Sequence, residues 1–540
     1  MEVLRKAARE LADTMVVTSV LLIRQAFQLT PVQAPERAVV GQEVVAYLVL
    51  ARHHEEARSF ADELLAETST PEVVAGVRLL LAPRLWETGD LAELAARTGG
   101  EPDPTVPAPL RARLAGYRAL AEGSSVDLDQ VRALGDQIAL SVADTAAAEL
   151  AERAADYPTA REHYARALEI AEAIGYPTRH QLRIRATVVR AQLDDIDLGA
   201  LDRYGSSGDR RLPGDSWQAP GMAWLRSCLD LGAGRLDAAR EAADTALRLM
   251  AEVQDHLFEF EARQVLAMVA LYRGELAAVR AQLAAAERGG ERLPLVRALL
   301  ADGQGDPGAA ATVVDLTLGA RHLAWREELL VGAACSAHHA GDRPTLRAAT
   351  AALDRLAAHC PGVASIQGAA ALAHGLTGGD LGPSVALLRT APRPLLLARA
   401  EEEHGRQLLA DADRRSIAVA ALDRARDGYA ALGASAAAIR VQRVMHAAGV
   451  RRRRWSAMPA RPESGWDALT GMERRVALLI ADGHTNRSAA AELVLSTSTI
   501  ATHLRSVFSK LGVNSRVQLA RLVLRGAADK AEDEQRPGHR

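Results

Sequence analysis

Small apolar residues recur through the first 450 positions at helical rather than strand spacing. In the stretch from Tyr157-Pro158-Thr159-Ala160 to Ala173-Ile174-Gly175, the residues Ala160, Tyr164, Ala167, Leu168 and Ala171 fall on one helical face. The small alanines allow a second helix to approach closely, and Tyr164 and Leu168 fill the groove between them. Glycine- or aspartate-containing turns separate such stripes: Gly89-Asp90-Leu91, Gly234-Arg235-Leu236-Asp237-Ala238-Ala239, Gly274-Glu275-Leu276-Ala277-Ala278, Gly305-Asp306, Gly341-Asp342 and Gly379-Asp380-Leu381. Successive turns from Gly234 lie 40, 31, 36 and 38 residues apart. Periods of that length mark helical hairpins that stack side by side. No alternation of strand and helix patterns is present, so the fold class expected is all-α.

The pattern tightens near the C-terminus. Thr470-x-x-Glu473 reads as a capping box opening a helix with Val476, Leu479 and Ile480 inward, closed by Gly483 in the left-handed position. Thr485 caps a second helix running through Ala490 and Leu493. Ser496 caps a third, in which Ile500, Leu504, Val507 and Leu511 form the inward stripe and Gly512 stops the helix. Ser515 opens a fourth with Val517, Leu519, Ala520, Leu522 and Val523 apolar. On the third helix the outward positions are Ser498, Ala501, Thr502, Arg505 and Ser509. Short polar residues followed one turn later by an arginine suit a helix lowered N-terminus first into the DNA major groove, where Arg can read guanine and Thr a thymine methyl. Asn486, Arg487, Lys510 and Arg516 stand where phosphate clamps would be needed.

Charge supports that division. Residues 451–526 carry 13 Lys or Arg against 5 Asp or Glu, the tail from Ala527 is −1, and the body 1–450 holds −10 of the overall −3. A basic module beside an acidic body suits a chain that touches a polyanion at one end only. Arg451-Arg452-Arg453-Arg454-Trp455 and the prolines Pro459 and Pro462 make residues 451–465 a basic linker, or an arm reaching DNA phosphate or the minor groove.

Composition also excludes chemistry. Hydrophobic residues are 49% and charged residues 25%, ordinary values, while aromatics are only 4%. The core is therefore built from Leu, Ala and Val, which favours helices. The only lysines are Lys6, Lys510 and Lys530. None follows a glycine, so no loop can place a lysine on nucleotide phosphates from a Gly-rich cradle. Cys228, Cys335 and Cys360 are scattered and odd in number, which points to a reducing cytoplasm rather than a disulfide framework. The apolar run from Met15 to Ile23 is too short to span a bilayer. His53-His54-Glu55-Glu56 and Cys335 with His338 and His339 are weak as metal ligand sets, lacking a common face or a second pair. No cofactor, metal or catalytic group is expected, and the chain is not expected to be an enzyme.

The residues quoted for the C-terminal module resemble the LuxR-type helix-turn-helix family over 466–526. Leu469-Thr470-x-x-Glu473, Gly483-x-Thr485-Asn486-Arg487, Ser496-x-x-Thr499-Ile500 and Lys510-Leu511-Gly512-Val513 carry the likeness. The resemblance implies a four-helix DNA-binding domain with its third helix in the major groove and dimerisation through its fourth. Carried over by position, Ala501, Thr502 and Arg505 fall at base-contacting sites, and Thr499, Asn486, Arg487 and Lys510 near phosphate contacts. Four departures stand out: Ala501 replaces a common Lys, Ser488 a usual Glu, Ala489 a larger aliphatic residue, and Gly471-Met472 a Pro-Arg pair.

The segment 157–175 similarly resembles the second helix of a tetratricopeptide repeat, a likeness looser elsewhere in the body. Repeats followed by this module resemble the C-terminal half of the large ATP-binding LuxR-type regulators, without their ATPase. The organisation expected is thus a tetratricopeptide-like helical-repeat solenoid at 1–450 for sensing or interaction, the linker 451–465, the DNA-binding module 466–526, and a charged disordered tail 527–540. The expected function is a cytoplasmic transcriptional regulator that binds double-stranded DNA as a homodimer. An effector protein or small ligand would act on the concave inner surface of the body. The rival expectation is a repeat scaffold whose module serves protein contacts.

Overall fold

The computed structural model describes residues 1–12, 15–100, 103–176, 178–197, 218–253, 258–288, 293–306, 308–320, 324–450, 469, 471–493 and 497–523. Among these every regular element is a helix. The chain falls into two compact units, Met1–Val450 and Arg451–Arg540. The linker 451–465, the tail 527–540 and the caps Thr470 and Ser496 fall outside the described residues.

In the larger unit the turn signals have a single physical origin. Gly89 and Gly341 adopt left-handed φ values of 72° and 73°, closing one helix. The following aspartate then caps the next helix: Asp90 accepts from Glu93 N and Asp342 from Thr345 N. Each Gly-Asp pair is thus a C-terminal stop fused to an N-terminal start, with no residue between them. Gly234, Gly274 and Gly305 take the same backbone conformation inside helical hairpins, whereas at the last of these turns Gly378 rather than Gly379 turns the chain.

The Tyr157–Ala173 helix behaves as its pattern requires. Asp156 caps it through Thr159 N. Ala160, Tyr164, Ala167 and Ala171 are buried and Leu168 packs at their edge. Tyr164 donates to Glu152 Oε2 at 3.0 Å, which satisfies its buried hydroxyl.

Successive helices pack against each other, and many also touch the next but one. Nearest-neighbour stacking is the rule for a solenoid, but this body departs from it, both where the Glu259–Arg273 helix packs on the Ser435–Ala447 helix and around Arg393. Arg393, buried just before the Pro394–Leu408 helix, donates Nη2 to Ala191 O at 3.0 Å across 202 positions of chain. It pairs with Glu327 at 3.3 Å and approaches Asp194 at 3.7 Å. Its guanidinium lies 3.5 Å from the centroid of the Trp325 ring. Asp194 also accepts from Ser365 N at 2.8 Å, capping a helix 171 residues downstream. Cys360 Sγ reaches Ala155 O, at 3.6 Å. One hydrophobic cluster accordingly joins residues 8–189 to residues 295–400.

Strain gathers in the same place. Of the four non-glycine residues with positive φ among the described residues, Asp194 (63°) and Trp325 (61°) both belong to this cluster. A side chain in that region costs of order 1 kcal/mol or more and persists only when its surroundings fix it. The charges are also under tension. Burial pushes the Glu327 carboxyl up to about 7 against the charge of Arg393, and burial lowers Arg393 against Glu327 and Asp194. With its amide nitrogen facing the cluster, Gln192 donates to Glu327 Oε2 at 3.2 Å and accepts from Trp325 N at 2.7 Å.

Candidate nucleic-acid interface

The smaller unit is organised by one apolar cluster. Leu469, Val476, Ala477 and Ile480 meet Ala489, Ala490, Ile500, Leu504, Val507, Val513 and Leu519, with Leu479, Phe508, Leu511, Leu522 and Val523 at the margin. The helices are Gly471–Ala481, Asn486–Leu493 and Thr497–Leu511, followed by a helical segment at 516–523. Ala489 is fully buried, so its small side chain brings the second helix close to the others.

The turns are fixed by side chains. Gly483 (φ 90°) and Gly512 (φ 64°) end the first and third helices in the left-handed region. Thr485 Oγ1 accepts from Ser488 N at 3.1 Å, the first half of a capping box. Ser488, standing where a Glu would reach back to the cap's N–H, donates instead to Thr485 O at 3.1 Å. At the fourth segment Ser515 Oγ accepts from Gln518 N at 3.2 Å and Gln518 Oε1 accepts from Asn514 N at 2.7 Å. That reciprocal pair is a capping box shifted by one residue, which the Ser515 start signal alone did not reveal.

The third helix is held to the first by charge as well as by packing. Glu473, 5% exposed, accepts from Ser506 Oγ at 2.6 Å and from Lys510 Nζ at 2.7 and 2.9 Å. A buried carboxylate with three hydrogen bonds is satisfied, whereas the loss of Lys510 would leave its charge unpaired under apolar cover. Sequence reasoning assigned Glu473 to a helix cap and overlooked Ser506. The available signal was the i, i+4 spacing of Ser506 and Lys510 on one helix face.

The expected contact residues separate into groups. Arg487 and Arg505 are exposed. Arg516 donates to Asn486 Oδ1, so these two are tied together across the second and fourth helices. Lys510 is engaged with Glu473. Ala501 is half-buried on the third helix. Ser498, Thr499 and Thr502 lie on that helix, but their side chains fall outside the described residues. The weak metal candidates of the body are otherwise engaged: His339 meets Glu403 at 2.9 Å, His53 meets Glu56 at 3.2 Å, and burial raises the Cys335 thiol. Among the described residues no group of three or more His, Cys, Asp or Glu could hold a metal ion, and no helix is long and apolar enough to cross a membrane.

A small helical core that presents exposed arginines on its second and third helices, with glycine-closed turns between them, defines a helix-turn-helix module. Residues 467–523 match the family described as bacterial regulatory proteins, luxR family, and this segment is a LuxR-type helix-turn-helix domain. It is similar to a Mycobacterium tuberculosis protein named as an HTH-type transcriptional regulator, 48% identical over 59 residues, which are 11% of this chain and 7% of that protein. It is also similar to the response regulator GacA of Pseudomonas aeruginosa, 38% identical over 77 residues (14% of this chain, 36% of that protein). The transcriptional regulatory protein LiaR of Bacillus subtilis is 39% identical over 54 residues (10% of this chain, 26% of that protein). The chain thus spans only a small part of the mycobacterial relative.

Proposed function

We propose that the protein is a transcriptional regulator that binds double-stranded DNA through residues 466–526, as a homodimer, under control of a protein or small ligand received by the helical body. The observation carrying this reading is the exposed Arg505 on the third helix of a basic LuxR-type domain. In this reading Arg505 reads base edges one turn beyond Ala501 and Thr502. Arg487, Ser498, Thr499 and the Asn486–Arg516 pair meet the phosphates. Lys510 contributes chiefly by holding the third helix to Glu473. Ala501 in place of a lysine lowers the positive charge at the groove, so affinity depends more heavily on the arginines.

The test is affinity for a selected genomic duplex and for a scrambled duplex across a salt series. Arg505→Ala should cost about 1–3 kcal/mol on the selected site and little on the scrambled one. Arg487→Ala should weaken both alike and reduce the salt slope by about one unit. If Arg505→Ala leaves the ratio of the two affinities unchanged, the third helix is not the reader, and the scaffold alternative replaces this function.

A further inference from the structure

Where the Glu259–Arg273 helix packs on the Ser435–Ala447 helix, the body holds a cavity of about 190 Å³. Its wall is drawn from six helices, one part from residues 268–336 and the other from residues 395–440 at the end of the body. Met268, Leu271, Leu299 and Leu395 make part of the lining apolar. An apolar cavity of about 150 Å³ takes benzene, so this one has room for a ligand of about eight or nine non-hydrogen atoms.

The polar lining contains a separated pair of charges. Arg399 is half-buried, and among the described residues its guanidinium makes no hydrogen bond or ion pair. Its charge is offset through space by Glu402 and Glu403, but these carboxylates are bonded elsewhere. Glu402 accepts from Arg440 at 2.7 Å and from Arg406 at 3.0 Å, and Glu403 meets His339 at 2.9 Å. The donors of Arg399 are therefore left to the cavity it lines. Asp302 lines the same cavity from the Pro294–Gln304 helix and accepts from Ser336 Oγ at 2.7 Å. Burial raises its carboxyl, and the Ser336 bond and the charge of Arg399 oppose that rise. The two ions thus feel each other without an ion-pair contact. The other charged lining groups are engaged: Arg440 with Glu402, and Glu328 with Tyr272 Oη and the charges of Arg393 and Arg399.

A second observation concerns the space itself. Gly303 and Gly332 line the cavity, and a Cβ on either would meet no heavy atom within 4 Å. Both lie within helices and neither takes a positive φ, so no turn or close approach calls for glycine there. Glycine is disfavoured in a helix. The missing side chains keep the cavity open.

We propose that this cavity binds a small free amino acid with an aliphatic or thioether side chain, its carboxylate on Arg399, its ammonium on Asp302 and its side chain against Leu271, Leu299 and Leu395. Such a zwitterion adds no net charge to a lining that already sets Arg399 and Arg440 against Asp302 and Glu328. It gives each of the separated ions a direct, charge-assisted partner. A ligand with a carboxylate alone would meet Arg399 but face Asp302 uncompensated, and one with an ammonium alone would face Arg399. The bound ligand would tie the Ser435–Ala447 helix to the Glu259–Arg273 helix. The proposal deepens the reading of the body as a receiver of small ligands and rests on it only for the regulatory consequence.

Leucine, valine and methionine are titrated calorimetrically into the full-length protein without DNA. The amide of each, which lacks the carboxylate, and the deaminated acid of each, which lacks the ammonium, are the controls. At least one amino acid is expected to bind saturably, with its amide and its deaminated acid about tenfold weaker or more. Asp302→Asn keeps an acceptor for Ser336 and removes the charge. It should weaken the amino acid about tenfold and spare the deaminated acid, collapsing the preference between them. Gly332→Leu places a side chain in the open volume and should abolish binding with the helicity unchanged. Should it unfold the body, judged by circular dichroism, Gly303→Leu carries the same expectation. If the amino acids and both sets of controls bind alike, or Asp302→Asn leaves the preference intact, the zwitterion assignment is overturned. If none of the three amino acids binds, or the folded glycine variant binds as the parent does, the site itself is overturned. DNA is absent throughout, so either failure leaves the transcriptional reading to its own test.

Discussion

Replacing Arg393 with methionine separates a stack of independent hairpins from a body tied together across its length. The side chain is buried and serves four partners: Ala191 O, Glu327, Asp194 and the Trp325 ring. Methionine keeps much of the apolar stem and removes the charge. Two carboxylates are then left without their cation, Glu327 at 1% side-chain exposure and Asp194 at 14%. Breaking one side of a buried pair in this way costs about 3–5 kcal/mol. The cation–π contact, worth about 2 kcal/mol when desolvated, is contained within that figure and does not add to it. A nearest-neighbour stack would confine the damage to hairpins around residues 390–410. The closure seen here predicts loosening at both ends, in 182–194 and in 364–376 as well. Hydrogen exchange should therefore speed up in both segments, on the order of a hundredfold or more for about 3 kcal/mol. Adding Glu327→Gln should recover part of the loss, because the stranded charge is removed. Faster exchange only near 390–410, or no recovery in the double variant, would refute the reasoning. The same group sets a pH dependence. Glu327 moves from an ordinary 4.5 to about 7 in the folded body, so the native state holds its proton more tightly than the unfolded chain. Its burial therefore destabilises the body fully above pH 7, and that penalty fades as pH falls from about 7 to 4.5. Glu327→Gln should flatten that limb of the stability curve.

Glu402 should act in the opposite sense. Burial alone would raise its carboxyl, but hydrogen bonds from Arg440 and the charges of Arg399, Arg440 and Arg406 outweigh it and hold the group near 2. Its stabilising contribution is present above about pH 4.5 and is lost as pH falls toward 2, so Glu402→Gln should remove part of the acid-unfolding transition followed by circular dichroism. Lys510→Met should lower the melting temperature of the module by the loss of about 1–3 kcal/mol, yet leave the salt slope of DNA binding nearly unchanged. A slope reduced by a full unit would mean that Lys510 meets phosphate instead. Ala501→Lys should strengthen binding to all duplexes and raise the salt slope by about one unit, measured in the same titration. Proline at Ala167, a fully buried position in the Tyr157–Ala173 helix, should cost about 3 kcal/mol or more, and unchanged exchange protection over 157–175 would contradict the packing described.

Local signals were legible in the sequence. Thr485, Ser515, Gly483 and Gly512 each act within four residues of themselves, and the structure places them at the helix ends their types require. The Ala160–Tyr164–Ala167–Ala171 stripe needed only helical geometry to be read. What escaped depends on partners distant in sequence. Nothing in Pro392-Arg393-Pro394 indicates that the arginine will meet Asp194 and Glu327, because no periodicity links positions some 200 residues apart. Lys510 read as a phosphate contact and Ser506 was overlooked, because their shared buried acceptor, Glu473, stands on another helix 37 and 33 residues earlier. The cavity that Asp302, Glu328 and Arg399 help to line is unreadable for the same reason, since each stands on a different helix.

The Ala191–Arg393 contact has a consequence for how the protein is made. A ribosome adding roughly 5–20 residues per second needs about 10–40 s to synthesise the chain between those partners. For most of that interval Asp194 lacks both groups that secure its backbone conformation, Ser365 N and Arg393, so that strained conformation cannot yet be fixed. The early hairpins can form as they emerge, since their contacts are local. The long-range seal cannot, and Trp325 reaches the tunnel exit before the guanidinium that will cover its ring. A nascent chain paused anywhere between residues 330 and 390 would thus display an unsealed core edge, the natural footing for a chaperone or a protease.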